Sequence, residues 1–338
     1  MVDSAGIPLV TYATASATAV SILLDEHYGL PRSSSCALLN RGFNECYSVV
    51  TPEGERFVLR LSGHRARGPA DVDAETAFLA YLASVGVPVA TAVPTRTGPL
   101  FTLSSLPDGF RPAVLFHHAE GRRPDLDGRD DARLQGMTLA RLHDAADAYP
   151  GKTSGRFRLD LDHLLHRQVR AVLALDIEAP QARGDLLALE TRLGDAITRF
   201  DPDLTRTRCH GDCHGLNARI RAAGPGVEEA VFFDFDDGGY GYVAYDLAVH
   251  LWAQVSFGRR RHAVWHAFHA GYRSLRKPSP ADEAAVPWFV AIRHIWLMGE
   301  YAGRTAEWGC EVLSSVWLER EVAFLLAWER DKLGPALL

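Results

Sequence analysis

An α+β fold in two parts is what this sequence predicts, and three observations predict it. The first third alternates short β-branched and apolar runs with stretches of helical spacing. The remainder reads almost wholly as amphipathic helix, and all seven tryptophans lie in it, between Trp252 and Trp328. Tryptophans spread over an all-helical region are expected to serve helix–helix packing, the alternative being a substrate pocket with aromatic walls. A chain of 338 residues is long enough for one large or two medium domains with a buried core. The polar loop around 119–130, EGRRPDLDGRDD, is the natural boundary. The expected division is therefore an N-terminal part over 1–117 and a C-terminal part over 118–338.

In chain order, residues 16–28 open on Ser16, a residue suited to cap a helix, and place Val20, Leu23 and Leu24 on one helical face. The runs CALLN, ECYSVV and RFVLRLS read as strands, the last two joined by a turn at Thr51-Pro-Glu-Gly54. Residues 71–85 return to helical spacing through Phe78, Leu79 and Leu82. Strands follow around 99–103 and 112–116, with the turn Leu-Pro-Asp-Gly109 between them. ARLQGMTLARLHDAA is an amphipathic helix, and residues 160–176 and 183–200 predict two more. Two short apolar runs come next, one at the motif described below and one at Val231-Phe-Phe-Asp234.

Composition excludes several classes. A net charge of −6 provides no basic field for nucleic acid or an anionic membrane. No apolar run approaches the length of a membrane span. The N-terminus lacks the basic region of a signal peptide, with Asp3 in its place. Five cysteines, an odd and low number, read as reduced thiols. The expectation is a cytoplasmic protein with no nucleic-acid or membrane partner.

Chemistry concentrates in Cys209-His-Gly-Asp-Cys-His-Gly-Leu-Asn217. Zinc is one reading, but structural zinc draws on separated ligand pairs, and Cys36, Cys46 and Cys310 are isolated. The other reading is a catalytic loop. From Asp212 to Asn217 the pattern is D-x-x-x-x-N, preceded by His210 and Gly211. In phosphoryl-transfer enzymes this spacing lets a carboxylate meet the acceptor hydroxyl while an amide oxygen holds magnesium. Fourteen residues on, Val231-Phe-Phe-Asp-Phe-Asp-Asp-Gly238 delivers Asp234 at the end of an apolar strand, a second hard-oxygen ligand. Three other tracts carry less. Gly151-Lys-Thr153 lacks the earlier glycine of a phosphate loop, Ala146 standing there. His262, His266 and His269 share a helical face without a carboxylate or cysteine to complete a metal set. Arg259-Arg-Arg261 reads as a solvated loop.

These residues resemble the aminoglycoside phosphotransferase superfamily. HGDCHGLN is similar to its catalytic loop, and FDFDDGGYGYVAYDLA to the segment that follows. The resemblance implies a two-lobed, protein-kinase-like fold. It implies Asp212 as catalytic base, Asn217 and Asp234 as magnesium ligands, and His210 and Asp246 as supports of the loop. Upstream, Asn40-Arg-Gly-Phe-Asn-Glu-Cys-Tyr47 resembles the nucleotide loop, which places Gly42 and Asn44 near ATP. Phe57-Val-Leu-Arg60 falls at the phosphate-binding lysine, and Glu75 at its partner. Position 60 is arginine, which binds phosphate in a different geometry. The cofactors implied are ATP and Mg. The acceptor implied is a small molecule such as an amino sugar, an aminoglycoside or an amino alcohol. Within the superfamily the motifs look most like the branch of bacterial stress-response serine/threonine kinase A, which implies a protein hydroxyl as the alternative acceptor. A nucleotide-binding pseudokinase is a third reading. Residues 281–332 hold nine acidic against five basic side chains, a mild excess that suits either a cationic acceptor or an outer helix face.

Overall fold

The computed structural model describes residues 10–63, 68–151 and 155–333. Lys152 and Thr153 lie outside them. The chain forms two compact units. The smaller comprises residues up to Gly121 with Tyr149–Arg156 and Val231–Asp236. The larger comprises Arg122–Ala148, Phe157–Ala230 and the chain from Asp237.

In the smaller unit, α1 (Ala17–Tyr28) starts at Ser16, whose Oγ accepts the Ala19 N–H at 3.1 Å. This is the expected cap, satisfying one of the orphan donors of the first turn. The strands are β1 (Ser35–Arg41), β2 (Asn44–Val50), β3 (Arg56–Ser62), β4 (Thr102–Leu106) and β5 (Gly109–His117). They form an antiparallel sheet in the order β1-β2-β3-β5-β4. Alternation puts Tyr47, Val49, Leu59 and Leu61 on one face, where they meet Val20, Leu23 and Leu24 of α1. Each such side chain contributes about 1.5–3 kcal/mol by leaving water. The strand expected at 99–103 instead runs over β4. Leu106 pairs directly with Gly109, so the two-residue Pro107-Asp108 turn pulls the pairing up to itself. The helix α2 (Pro69–Ser84) begins where the Asp71 carboxylate accepts the Gly68 N–H at 2.9 Å. It buries Val72, Phe78, Leu79 and Leu82, with Glu75 among them.

The larger unit contains α3 (Arg129–Asp147), β6 (Arg158–Leu159), α4 (Arg167–Leu173), α5 (Pro180–Phe200), β7 (Arg206–Cys209), β8 (Ala218–Gly224) and most of β9 (Val227–Phe232). Then come β10 (Gly239–Tyr242), α6 (Val243–Val255), α7 (His262–Arg273), α8 (Pro280–Ala302), α9 (Thr305–Trp308) and α10 (Ser315–Lys332). The helix expected over 160–176 is shorter, because Asp162–His166 is a wider π-type turn leading into α4. That over 183–200 starts earlier, at Pro180, where proline costs no hydrogen bond. The strands form a three-stranded sheet β6-β10-β7 and a ribbon β8-β9. The ribbon's β8 had no apolar alternation to mark it: its last four residues are exposed.

Helices α3 and α7 pack with backbones in contact. A Cβ on Gly136 would lie 2.0 Å from the Phe268 carbonyl oxygen, and one on Gly271 2.1 Å from that of Arg133. Trp252, Trp288, Trp296 and Trp328 are buried between helices, as their clustering predicted. Among the described residues, no helix is long and apolar enough to cross a membrane.

Candidate active site

In the larger unit, strand β7 ends at Cys209 and the chain turns sharply through His210, Gly211 and Asp212. The turn is possible because Gly211 has φ 82°, and a Cβ there would meet the Asp237 carbonyl oxygen at 2.1 Å. Two backbone donors of the turn converge on one buried carboxylate. Asp246, in the first turn of α6, accepts the His210 N–H on Oδ2 and the Gly211 N–H on Oδ1, each at 2.7 Å. His143 of α3 reaches the same Oδ2 through Nε2 at 3.0 Å, while its Nδ1 lies 2.8 Å from the Tyr272 hydroxyl. Sequence reasoning missed His143. Its trace was a histidine on the apolar face of an amphipathic helix, where a buried polar ring needs a partner.

Asp212 itself is held from three sides. Asn217 Nδ2 donates to the Asp212 carbonyl at 3.0 Å and to its Oδ2 at 2.9 Å. His214 Nε2 lies 3.4 Å from the same Oδ2. Arg293 of α8 donates through Nη2 to Oδ1. Burial alone would raise the Asp212 carboxyl, but the charges of His214 and Arg293 outweigh it and hold the group down at about 2. Burial opposes the charge on His214 as well, yet the facing carboxylate wins and raises it above 6.5. Burial pushes His210 down, which keeps that ring neutral; its Nδ1 accepts the Asp212 N–H at 3.2 Å. The Asn217 Oδ1 receives no hydrogen bond among the described residues. Arg293 also escaped the sequence reading. A lone arginine in VPWFVAIRHIWLM was the available signal, since a buried guanidinium requires an anion.

The soft ligands of the loop do not converge. Cys213 Sγ donates to the Asp246 carbonyl at 3.0 Å, and Cys209 Sγ to the Tyr242 carbonyl at 3.4 Å. Among the described residues, one trio of ligand atoms falls within 4.8 Å: His143, Cys209 and Asp246. All three are buried and tied into the hydrogen bonds above, which leaves no open coordination position.

In the smaller unit, Arg60 on β3 and Glu75 on α2 form a bidentate pair, at 2.8 and 2.7 Å, both fully buried. Arg60 Nη1 stands 4.0 Å from the half-exposed Asp234 carboxylate. Asp234 follows β9 with φ 67°, a conformation a non-glycine residue adopts at a cost of order 1 kcal/mol. The next residues are pinned. Arg156 donates to the carbonyls of Phe235 at 2.5 Å and Asp236 at 2.9 Å. Asn44 Nδ2 donates to the Asp236 carboxylate at 2.6 Å, and Asn44 Oδ1 accepts the Gly63 N–H at 3.1 Å. Gly42, in the β1–β2 turn, donates its N–H to the Asn44 carbonyl at 3.0 Å. Arg60, Glu75, Asn44, Asp236 and Arg156 line a small cavity. Of the residues singled out from sequence, this unit thus gathers Gly42, Asn44, Arg60, Glu75 and Asp234. The larger gathers His210, Asp212, Asn217 and Asp246.

The sequence profile of the phosphotransferase enzyme family matches residues 37–277. The chain belongs to that family. A protein of Deinococcus radiodurans is 40% identical over 315 residues, covering 92% of this chain and 90% of that protein. A homoserine kinase of Caulobacter vibrioides is 26% identical over 271 residues, 79% of each chain. The solved structure of a microcompartment-associated aminopropanol kinase superposes with a TM-score of 0.74 at 27% identity, covering 92% of this chain and 97% of that one. The phosphotransferase is therefore an enzyme of the kinase type with the kinase-like fold its motifs implied.

Proposed function

We propose that this phosphotransferase moves the γ-phosphoryl group of ATP to the hydroxyl of a small, amine-bearing acceptor, with Asp212 as the base. The observation that carries the reading is the placement of the Asp212 carboxylate by Asn217, His214 and Arg293 in a turn anchored on Asp246. The smaller unit takes the nucleotide and the larger takes the acceptor. Asn217 and Asp234 suit magnesium chemically: a carboxylate and an amide oxygen without a donor are the hard ligands that ion prefers. When bound, the ion neutralises charge on the phosphates.

Asp212 accepts the hydrogen bond of the acceptor hydroxyl and aims its oxygen at the γ-phosphorus. The new O–P bond forms as the bond from phosphorus to the β,γ-bridging oxygen breaks, ADP carries away that electron pair, and the hydroxyl proton passes to Asp212. A carboxyl held low by the charges of His214 and Arg293 is a weak base, so orientation is its larger contribution. Arg60, fixed by Glu75, presents a guanidinium to the phosphates, and Gly42 lets the turn approach them. Asn44 acts indirectly by holding Asp236.

The acceptor class follows the relatives named for homoserine and aminopropanol, both of which carry a hydroxyl and an amine. The test is an ATP-consumption screen of purified protein against amino alcohols, hydroxy amino acids, aminoglycosides and a generic protein substrate. Turnover with the first two classes is expected. Turnover with the protein alone favours the stress-response type of kinase, and none with any acceptor overturns the proposal.

A further inference from the structure

We propose that Arg293 is the positioning residue of the catalytic carboxylate, and that the acceptor hydroxyl binds Asp212 on Oδ1, the oxygen Arg293 holds. This rests on the reading of Asp212 as the base. A carboxylate offers about four lone-pair sites, two on each oxygen. On Oδ2 one is occupied and the other faces a cationic ring. Asn217 Nδ2 occupies one at 2.9 Å. The other faces His214 Nε2 at 3.4 Å. Nε2 carries a proton both in the charged ring and in the neutral tautomer whose Nδ1 accepts the Leu216 N–H at 3.3 Å, so that atom is turned to Asp212 as a donor in either state. On Oδ1 Arg293 Nη2 is the one donor among the described residues. One site is left, and it lies on Oδ1.

Arg293 is built to stay where it is. Its guanidinium carbon lies 4.3 Å from the Trp296 ring centre and 5.1 Å from that of Trp252. Its Nη1 lies 3.4 Å from the Tyr245 hydroxyl, and the residue is 3% exposed. The helix that carries it is tied to the chain entering the loop. Ser279 and Asp282 form a capping box at the start of α8. Asp282 Oδ1 also accepts the Thr205 N–H at 2.9 Å, one residue ahead of β7. So α8 and the loop share an anchor, and Arg293 closes the circuit on Asp212. Buried ion pairs add little net stability but fix geometry. Fixed geometry is what an orienting carboxylate needs.

The test uses Arg293→Met, Arg293→Lys, Asp212→Asn and the double variant Asp212→Asn/Arg293→Met in the full chain. Arg293→Met should lower kcat about 10²-fold, with the KM for ATP changed less than about threefold. Arg293→Lys keeps the charge but loses the planar fork, and should fall between that variant and wild type. On the Asp212→Asn background, Arg293→Met should cost less than about threefold more, because it acts through the group already removed. A kcat for Arg293→Met within about threefold of wild type, or losses that multiply in full, overturns the proposal. A second readout needs no acceptor. Thermal denaturation should show a lowered Tm for Arg293→Met, largely recovered in the double variant, since the stranded buried carboxylate is then gone. Additive Tm shifts refute the pairing. If wild type proves inert toward every acceptor, the phosphotransfer reading fails, and with it the positioning role, while the Tm cycle still decides the pairing.

Discussion

Replacing Asp246 by asparagine changes one atom, and the structure fixes what that atom does. The carboxylate accepts from His210 N–H and His143 on Oδ2 and from Gly211 N–H on Oδ1, in a site with no access to water. An asparagine can place its oxygen at only one of these positions. The better choice keeps the two donors at Oδ2 and turns its NH₂ toward the Gly211 N–H, a donor facing a donor. One charge-assisted bond is lost, about 1.5–3 kcal/mol, and one buried N–H is left unpaired, about 1–3 more, for a total of about 2.5–6 kcal/mol. Set against the 5–15 kcal/mol of total stability typical of a domain, that loss leaves a variant expected to fold with a thin margin. Urea denaturation should show a lower midpoint at unchanged m-value. Turnover should fall about 10²-fold as the Gly211–Asp212 turn loosens. A stability loss below about 1 kcal/mol would refute the claim that this carboxylate organises the loop.

The other predictions concern neighbours of that anchor. Asp212→Ala should keep nucleotide affinity, measured by calorimetry, and lose about 10²–10⁴-fold in turnover; wild-type turnover would remove Asp212 from the mechanism. Gly211→Ala should destabilise by at least about 2 kcal/mol, because the left-handed backbone and the Asp237 carbonyl both reject a Cβ; a neutral result would mean the turn is looser than described. His250 gives a pH signature. Burial on α6, stacked 3.8 Å from the Phe268 ring, pushes it down from 6.5 to about 3. Between those values the unfolded chain carries the extra proton, so stability falls as pH drops through the window, by about 1.4 kcal/mol per unit. His250→Phe should abolish about 2 kcal/mol of the loss between pH 6.5 and pH 5, and an unchanged slope would show that the ring is protonated in the fold.

Features set by short-range chemistry were legible in the sequence. Ser16 caps its helix because a hydroxyl three residues before an orphan N–H can do little else, and the Thr51–Gly54 turn follows from its residue types. The backbone of the Gly211–Asp212 turn was legible too, since Gly211 and the spacing from Asp212 to Asn217 are local. Partners brought by tertiary packing were hidden. His143 and Arg293 stand 103 and 81 residues from the groups they hold, and no periodicity links them. Only the mismatch of a charge within an apolar run hinted at Arg293. The ribbon strand β8 was missed for the opposite reason, because its exposed half has no core-facing pattern to read.

The two cysteines that first made the loop look like a zinc site have a different use. Burial, then the nearby Asp246 charge, raise both thiols, and neither side chain reaches solvent in the fold. Cys310, by contrast, is exposed. An alkylating reagent therefore marks Cys310 at once and meets Cys209 or Cys213 only when the loop swings open. The protein carries, inside the turn that holds Asp212, a clock for how often that turn comes apart.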